Sequence, residues 1–194
     1  WYWRGKQAVT KRLTLLCLLA GMLALAPAVW AQGQSGTLEI TGVPADVPAG
    51  RYDRQAGVFS ADVSAIEGAL VHVTFEEVKI VGQTMEWRTD DDYLIFTGGA
   101  TLTKEDFTVT GDTLEYFGKE KKLHAVGSVV VVTDDATVYA NELVYDEETD
   151  EAVFTGQVKV VFDDGVLEGE KFVMFLEKSE LQFFGAFQGT FETD

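Results

Sequence analysis

Between residues 78 and 191 apolar and polar side chains alternate with period two, in runs separated by short polar stretches. Val129 and Val131 fall on one side of such a run with Ser128 and Val130 on the other, and Val158, Val160 and Phe162 repeat the choice. Val109, Val138 and Leu167 do the same in the intervening runs. β-Branched and aromatic residues fill these segments, and no proline occurs after Pro48. Period two with that composition predicts strand after strand, an all-β chain.

The runs themselves recur. Gly98, Gly127, Gly156 and Gly185 are each 29 residues from the next. Gly111, Ala140 and Gly169 follow the first three by 13, and Gly82 precedes them in phase. A third column reads Trp87, Tyr116, Tyr145 and Met174, and a fourth Phe96, Ala125, Phe154 and Phe183. Four columns on one period mean stacked copies of one supersecondary unit. The small residues alternate in spacing, 13 then 16, and the midpoints, near residues 104, 119, 133, 148, 162 and 177, are polar and read as turns. Each small residue then lies opposite the next across a hairpin, in strands of about 12 residues and roughly 40 Å.

A row of glycine and alanine through the middle of every strand marks a crease, because such residues weaken a strand where it bends or another backbone approaches. The apolar parity also changes there. Phe107 and Val109 precede Gly111, but Leu114 and Tyr116 follow it; Val78, Ile80, Met85 and Trp87 do the same about Gly82. The pattern predicts a β-bulge in the strands holding Gly82, Gly111, Ala140 and Gly169. The expected fold is a bent antiparallel meander whose two leaves turn apolar faces toward each other.

Composition adds a compartment. Arg4, Lys6, Lys11 and Arg12 precede the apolar run LTLLCLLAGMLALA, and AVWAQ follows Pro27. That is the layout of a cleavable signal peptide over residues 1–31, with an uncleaved anchor as the alternative. Residues 32–62 then read as a linker and degenerate first repeat, and 63–194 as the repeats. The chain carries a net charge of −17, and removing four cations with the leader leaves 11 basic against 32 acidic side chains, or −21. Such a surface repels nucleic acid. The single cysteine, Cys17, lies in the leader, so no disulfide framework is expected.

Candidate chemistry is sparse. Glu76–Glu77, Glu105–Asp106, Asp134–Asp135 and Asp163–Asp164 keep the period and fall in turns along one rim. They read as solvated turns that discourage edge association; a cation ladder lacks the six or more oxygens calcium wants. His72 and His124 are the only histidines and belong to different copies; His124 takes the phase of Ile95 and Val153, an aliphatic strand position. No nucleophile triad, zinc spacing or phosphate loop appears, so the expectation is a non-enzymatic chain with no metal and no cofactor. The inward columns carry the remaining signal. Phe96, Val109, Tyr116, Val129, Val131, Val138, Tyr145, Phe154, Val158, Val160 and Leu167 are either a dry core or the lining of an apolar groove for acyl chains.

The steps VFTGQVKVVFDDGVLEGEKF and HAVGSVVVVTDDATVYANELVY, with AVGSVVV at 125–131 copying FTGQVKV at 154–160, resemble the OstA-like (LptA) family of periplasmic lipopolysaccharide-transport proteins. The likeness extends over about residues 63–191, and the acidity of this chain departs from it. It implies an open V-shaped β-jellyroll, a periplasmic location, and lipopolysaccharide or another envelope lipid held by its acyl chains. It also implies edge-strand pairing with inner- and outer-membrane partners, or head-to-tail pairing of copies, for which the last strand, ending GAFQGTFETD, is the expected edge. The alternative is a structural or interaction module of the envelope with a dry core.

Overall fold

A computed structural model describes residues 38–42, 49–75, 78–104, 107–134, 136–175 and 180–192. The expected leader lies outside them, as do Glu76–Glu77, Glu105–Asp106 and Asp135. Seven strands of 11 or 12 residues make the body: β7 (Tyr93–Lys104), β8 (Phe107–Phe117), β9 (Lys122–Val132), β10 (Ala136–Asp146), β11 (Glu151–Phe162), β12 (Gly165–Phe175) and β13 (Glu180–Phe191). Six shorter ones precede them: β1 (Leu38–Thr41), β2 (Gly50–Asp53), β3 (Val58–Asp62), β4 (Val71–Phe75), β5 (Val78–Gly82) and β6 (Thr84–Arg88). All pairings are antiparallel, and the thirteen strands form one open sheet.

The crease runs where the small residues stand abreast. Every register shift from β7 to β13 falls there: between Thr97 and Ala100, Thr110 and Thr113, Ala140 and Glu142, Tyr139 and Glu142, Thr155 and Val158, and Gly169 and Lys171. In β8 the buried series runs Val109, Gly111, Leu114, Tyr116, so its parity changes at Gly111 as the sequence pattern requires. The extra residue, however, is in the neighbouring strands. Opposite the step from Thr110 to Thr113, β9 runs from Val130 to Val126, one residue longer. The bulges therefore belong to β7, β9, β11 and β13, which corrects the assignment to Gly82, Gly111, Ala140 and Gly169.

Backbone sterics explain the correction. The bulges hold pairs of left-handed residues: Gly98 and Gly99 (φ 80° and 76°), Gly127 and Ser128 (80° and 47°), Gly156 and Gln157 (79° and 54°). Glycine supplies that conformation without penalty, and the column from Gly98 to Gly185 has it in every copy. The other column includes Ala140, for which a positive φ is costly. Against each glycine of this column sits a polar side chain from the preceding part of the meander: Gln83 at Gly98, Asp112 at Gly127, Asn141 at Gly156 and Glu170 at Gly185.

At the N-terminal end the crease becomes a split. β5 and β6 are the two halves of one strand, interrupted at Gln83; β5 pairs with residues 101–104 of β7 and β6 with residues 93–97. One leaf continues through β5, β4 and β1, the other through β6, β3 and β2. Residues 63–70 connect the leaves at the crease, where Val63 N–H donates to Gln83 O at 3.0 Å. Val63 is buried, and Ile66 and Ala69 pack against the core.

Candidate functional site

Both leaves turn apolar side chains inward, and these merge in one core from Ala61 to Met174. Toward the N-terminal end the packing is incomplete. A pocket opens between the leaves, with a cavity volume of about 40 Å³. One leaf lines it with Val73 and Phe75 of β4, Val78 and Ile80 of β5 and Leu102 of β7. The other supplies Leu94 and Phe96 of β7, Leu114, Glu115 and Tyr116 of β8, and Leu123 of β9. Apart from Glu115, which alternates with Leu114 and Tyr116 in β8 and so turns its side chain to the opposite face of the leaf, the lining residues are aliphatic and aromatic. Such a surface offers dispersion contacts and freedom from water to a hydrocarbon, and little to a polar ligand.

The pocket lies where the repeat is broken. The neighbour of β5 and β6 is split into two half-strands, Val71–Phe75 on β5 and Val58–Asp62 on β6, and residues 63–70 leave the sheet between them.

Of the eleven residues expected to line a groove, Phe96 and Tyr116 lie in the pocket wall. Val109, Val129, Val131, Val138, Tyr145, Phe154, Val158 and Val160 face the same interior and are buried against one another along β8 to β11. Leu167, on β12, is half-buried and packs on that core. The sequence columns thus gather on one interior surface, but they are packed shut where the copies are regular. Val73, Phe75, Leu94, Leu102, Leu114 and Leu123 escaped the sequence reading because identical columns give no reason to prefer one copy; the irregular SAIEGAL stretch at 64–70 was the available signal.

At the rim, polar groups meet the apolar wall. The turns 89–92, 118–121 and 147–150 each end on a left-handed residue, Asp92, Lys121 and Asp150, again 29 apart. Burial raises the carboxyl pKa of Asp92, against the opposing charge of Lys119, and raises that of Glu147, against Lys121. Burial, with the Glu147 and Asp92 charges, holds the Tyr116 hydroxyl protonated far above the usual phenol range. Tyr145 is held up likewise, and its hydroxyl donates to Asp150 Oδ1 at 3.4 Å. Lys119 pairs with Asp91 at 3.4 Å and Lys122 with Asp146 at 3.3 Å. These turns therefore carry both signs of charge.

At the C-terminal end the same interior columns come to the surface. Val158 is 1% exposed, whereas Phe187, one period later in β13, is 60% exposed. Phe187 stacks on Phe183 with ring centroids 4.8 Å apart, and Phe183 meets Phe172 edge-on at 4.8 Å. Among the described residues β13 pairs only with β12. No group of three His, Cys, Asp or Glu side chains among the described residues could hold a metal ion. Asp134 is exposed, and Asp163 and Asp164 form the β11–β12 turn.

No family model matches the chain and no curated protein matches it. Among solved structures it is similar to LptH from Pseudomonas aeruginosa, the LptA-homologous periplasmic component of the lipopolysaccharide transport device. The two are 18% identical, the TM-score is 0.47, and the match covers 57% of this chain and 76% of that one.

Proposed function

We propose that this chain is an exported, periplasmic lipid-binding protein that holds acyl chains between its two leaves and passes them on without covalent chemistry. The observation that carries this reading is the pocket whose walls come from both leaves and are apolar apart from Glu115. Each methylene taken from water into such a space is worth about 0.8 kcal/mol. About four methylenes in such a space therefore gain on the order of 3 kcal/mol toward the cost of association. The resemblance of the FTGQVKV and AVGSVVV steps to the OstA-like family agrees with it, and lipopolysaccharide or a related envelope lipid is the proposed cargo. The 12-residue edge of β13 is the proposed docking strand for membrane-embedded partners or for a second copy.

Tight burial of the columns from Val129 to Val160 favours a second reading, a rigid envelope module with no cargo. Native mass spectrometry of the full chain purified from its own host separates the two. The lipid reading expects a retained lipid mass that is lost when Ile80→Trp fills the pocket. A protein that carries no lipid, and takes up none from mixed host lipids, overturns it.

A further inference from the structure

The outer face of the leaf that carries Leu114, Tyr116 and Leu123 holds a chain of polar side chains that lipid binding does not use. Tyr93 of β7 donates to Glu115 Oε1 of β8 at 2.6 Å, and Glu115 Oε2 lies 3.1 Å from His124 Nδ1 on β9. His124 Nε2 lies 2.7 Å from Glu142 Oε1 on β10, and Thr155 of β11 donates to Glu142 Oε2 at 3.1 Å. Side chains thus join five successive strands.

Counting protons decides what state this chain requires. A neutral imidazole has one N–H and one lone pair, whereas an ionised carboxylate only accepts. With a carboxylate at each ring nitrogen, both contacts are hydrogen bonds only when the imidazole carries two protons. Remove one, and a ring lone pair faces a carboxylate oxygen. The His124 and Glu115 side chains are about three-quarters buried, so solvent screens this difference only in part.

We propose that His124 is a proton-operated tie across this leaf, joining β8 and β10 to β9 when the imidazole is charged and releasing one of them when it is neutral. The groups that face it are Glu115 from β8 and Glu142 from β10. Asp146, further along β10, is engaged by Lys122 of β9 itself at 3.3 Å. Tyr93 acts through Glu115. The Glu142 carboxyl is held below its ordinary range, first by its hydrogen bond to His124 and then by that to Thr155, in accord with a bond to a charged partner. A lowered carboxyl contributes stability above its ordinary pKa and loses it as pH falls through the lowered value. Glu115 lies between Leu114 and Tyr116, and Leu123 precedes His124, so the tie fixes the strands that form one wall of the pocket. This last link rests on the lipid reading; the tie itself does not.

Nitrogen NMR of the imidazoles in the full wild-type chain tests the state directly. Near pH 6 both His124 ring nitrogens are expected in the protonated form, giving way to a single N–H by about pH 9. A neutral ring throughout that range overturns the proposal. Urea unfolding gives a second measure: His124→Gln is expected to lower the folding equilibrium constant about tenfold near pH 6 and by much less near pH 9. An equal loss at both overturns it as well. The neutral dye N-phenyl-1-naphthylamine reads the pocket: its affinity is expected to change several-fold between these pH values in the wild type and to stay flat in His124→Gln. Dye that binds wild type equally at both values severs the tie from the pocket. Dye that never binds counts against the lipid reading, while the nitrogen spectra still decide the tie.

Discussion

Gly98 and Gly99 stand side by side in β7 with nearly the same backbone conformation and different surroundings. A Cβ added at Gly98 would meet the Cβ of Gln83 at 2.6 Å, whereas one at Gly99 would have open space. Gly99→Ala therefore reads the left-handed backbone cost alone, about 1 kcal/mol. Gly98→Ala adds a contact that neither strand at the crease can move away from, and is expected to cost about 2 to 3 kcal/mol. Urea midpoints at unchanged m value check this; equal losses would mean the spine has room to spare. The polar network shows the opposite limit of legibility at this scale. His124 was readable as a strand position in the phase of Ile95 and Val153, and it is one. That its ring lies between Glu115 and Glu142 was not readable, because no motif links residues 9 and 18 apart; strand register alone brings them together.

Strands and turns were the most legible elements. The polar stretches near 119, 148 and 162 are the turns 118–121, 147–150 and Asp163–Asp164, because turn chemistry is local and each stretch interrupts a period-two pattern. The owner of the bulge was misread, since a parity change in one strand and an extra residue in its neighbour look alike until the two are paired. β13 carries the element-scale consequence of the stacked design. Its inward columns have no following strand among the described residues to cover them, so Phe187 is exposed beside an open backbone edge. The full chain is expected to self-associate with rising concentration, and Phe187→Lys to shift it several-fold toward monomer in sedimentation velocity. Unfolding midpoints should barely change, because the ring removed is already 60% exposed. Association untouched by the substitution would rule out this edge as the contact.

For the molecule as a whole, charge and stacking act against each other. The full chain has a net charge of −17, and ion pairs among the described residues are mostly exposed, as in Lys159–Glu168 at 3.0 Å and Lys119–Asp91 at 3.4 Å. Such pairs contribute at most about 1 kcal/mol each, so self-repulsion dominates the long-range electrostatics. Raising salt from about 10 mM to about 150 mM shortens the screening length from roughly 30 to 8 Å. The melting temperature is expected to rise with it; a fall would mean that the local pairs outweigh the repulsion.

By itself the amino-acid sequence determined the all-β class, the 29-residue unit, the turns and the row of small residues along which the sheet folds. Each of these is written in local periodicity, which needs no knowledge of distant contacts. Only the tertiary structure decided where the leaves come apart, which residues line the space between them, and that a histidine spans two carboxylates. Those depend on which strand lies beside which, and above all on the place where the repeat breaks, a place that stacked identical columns cannot indicate.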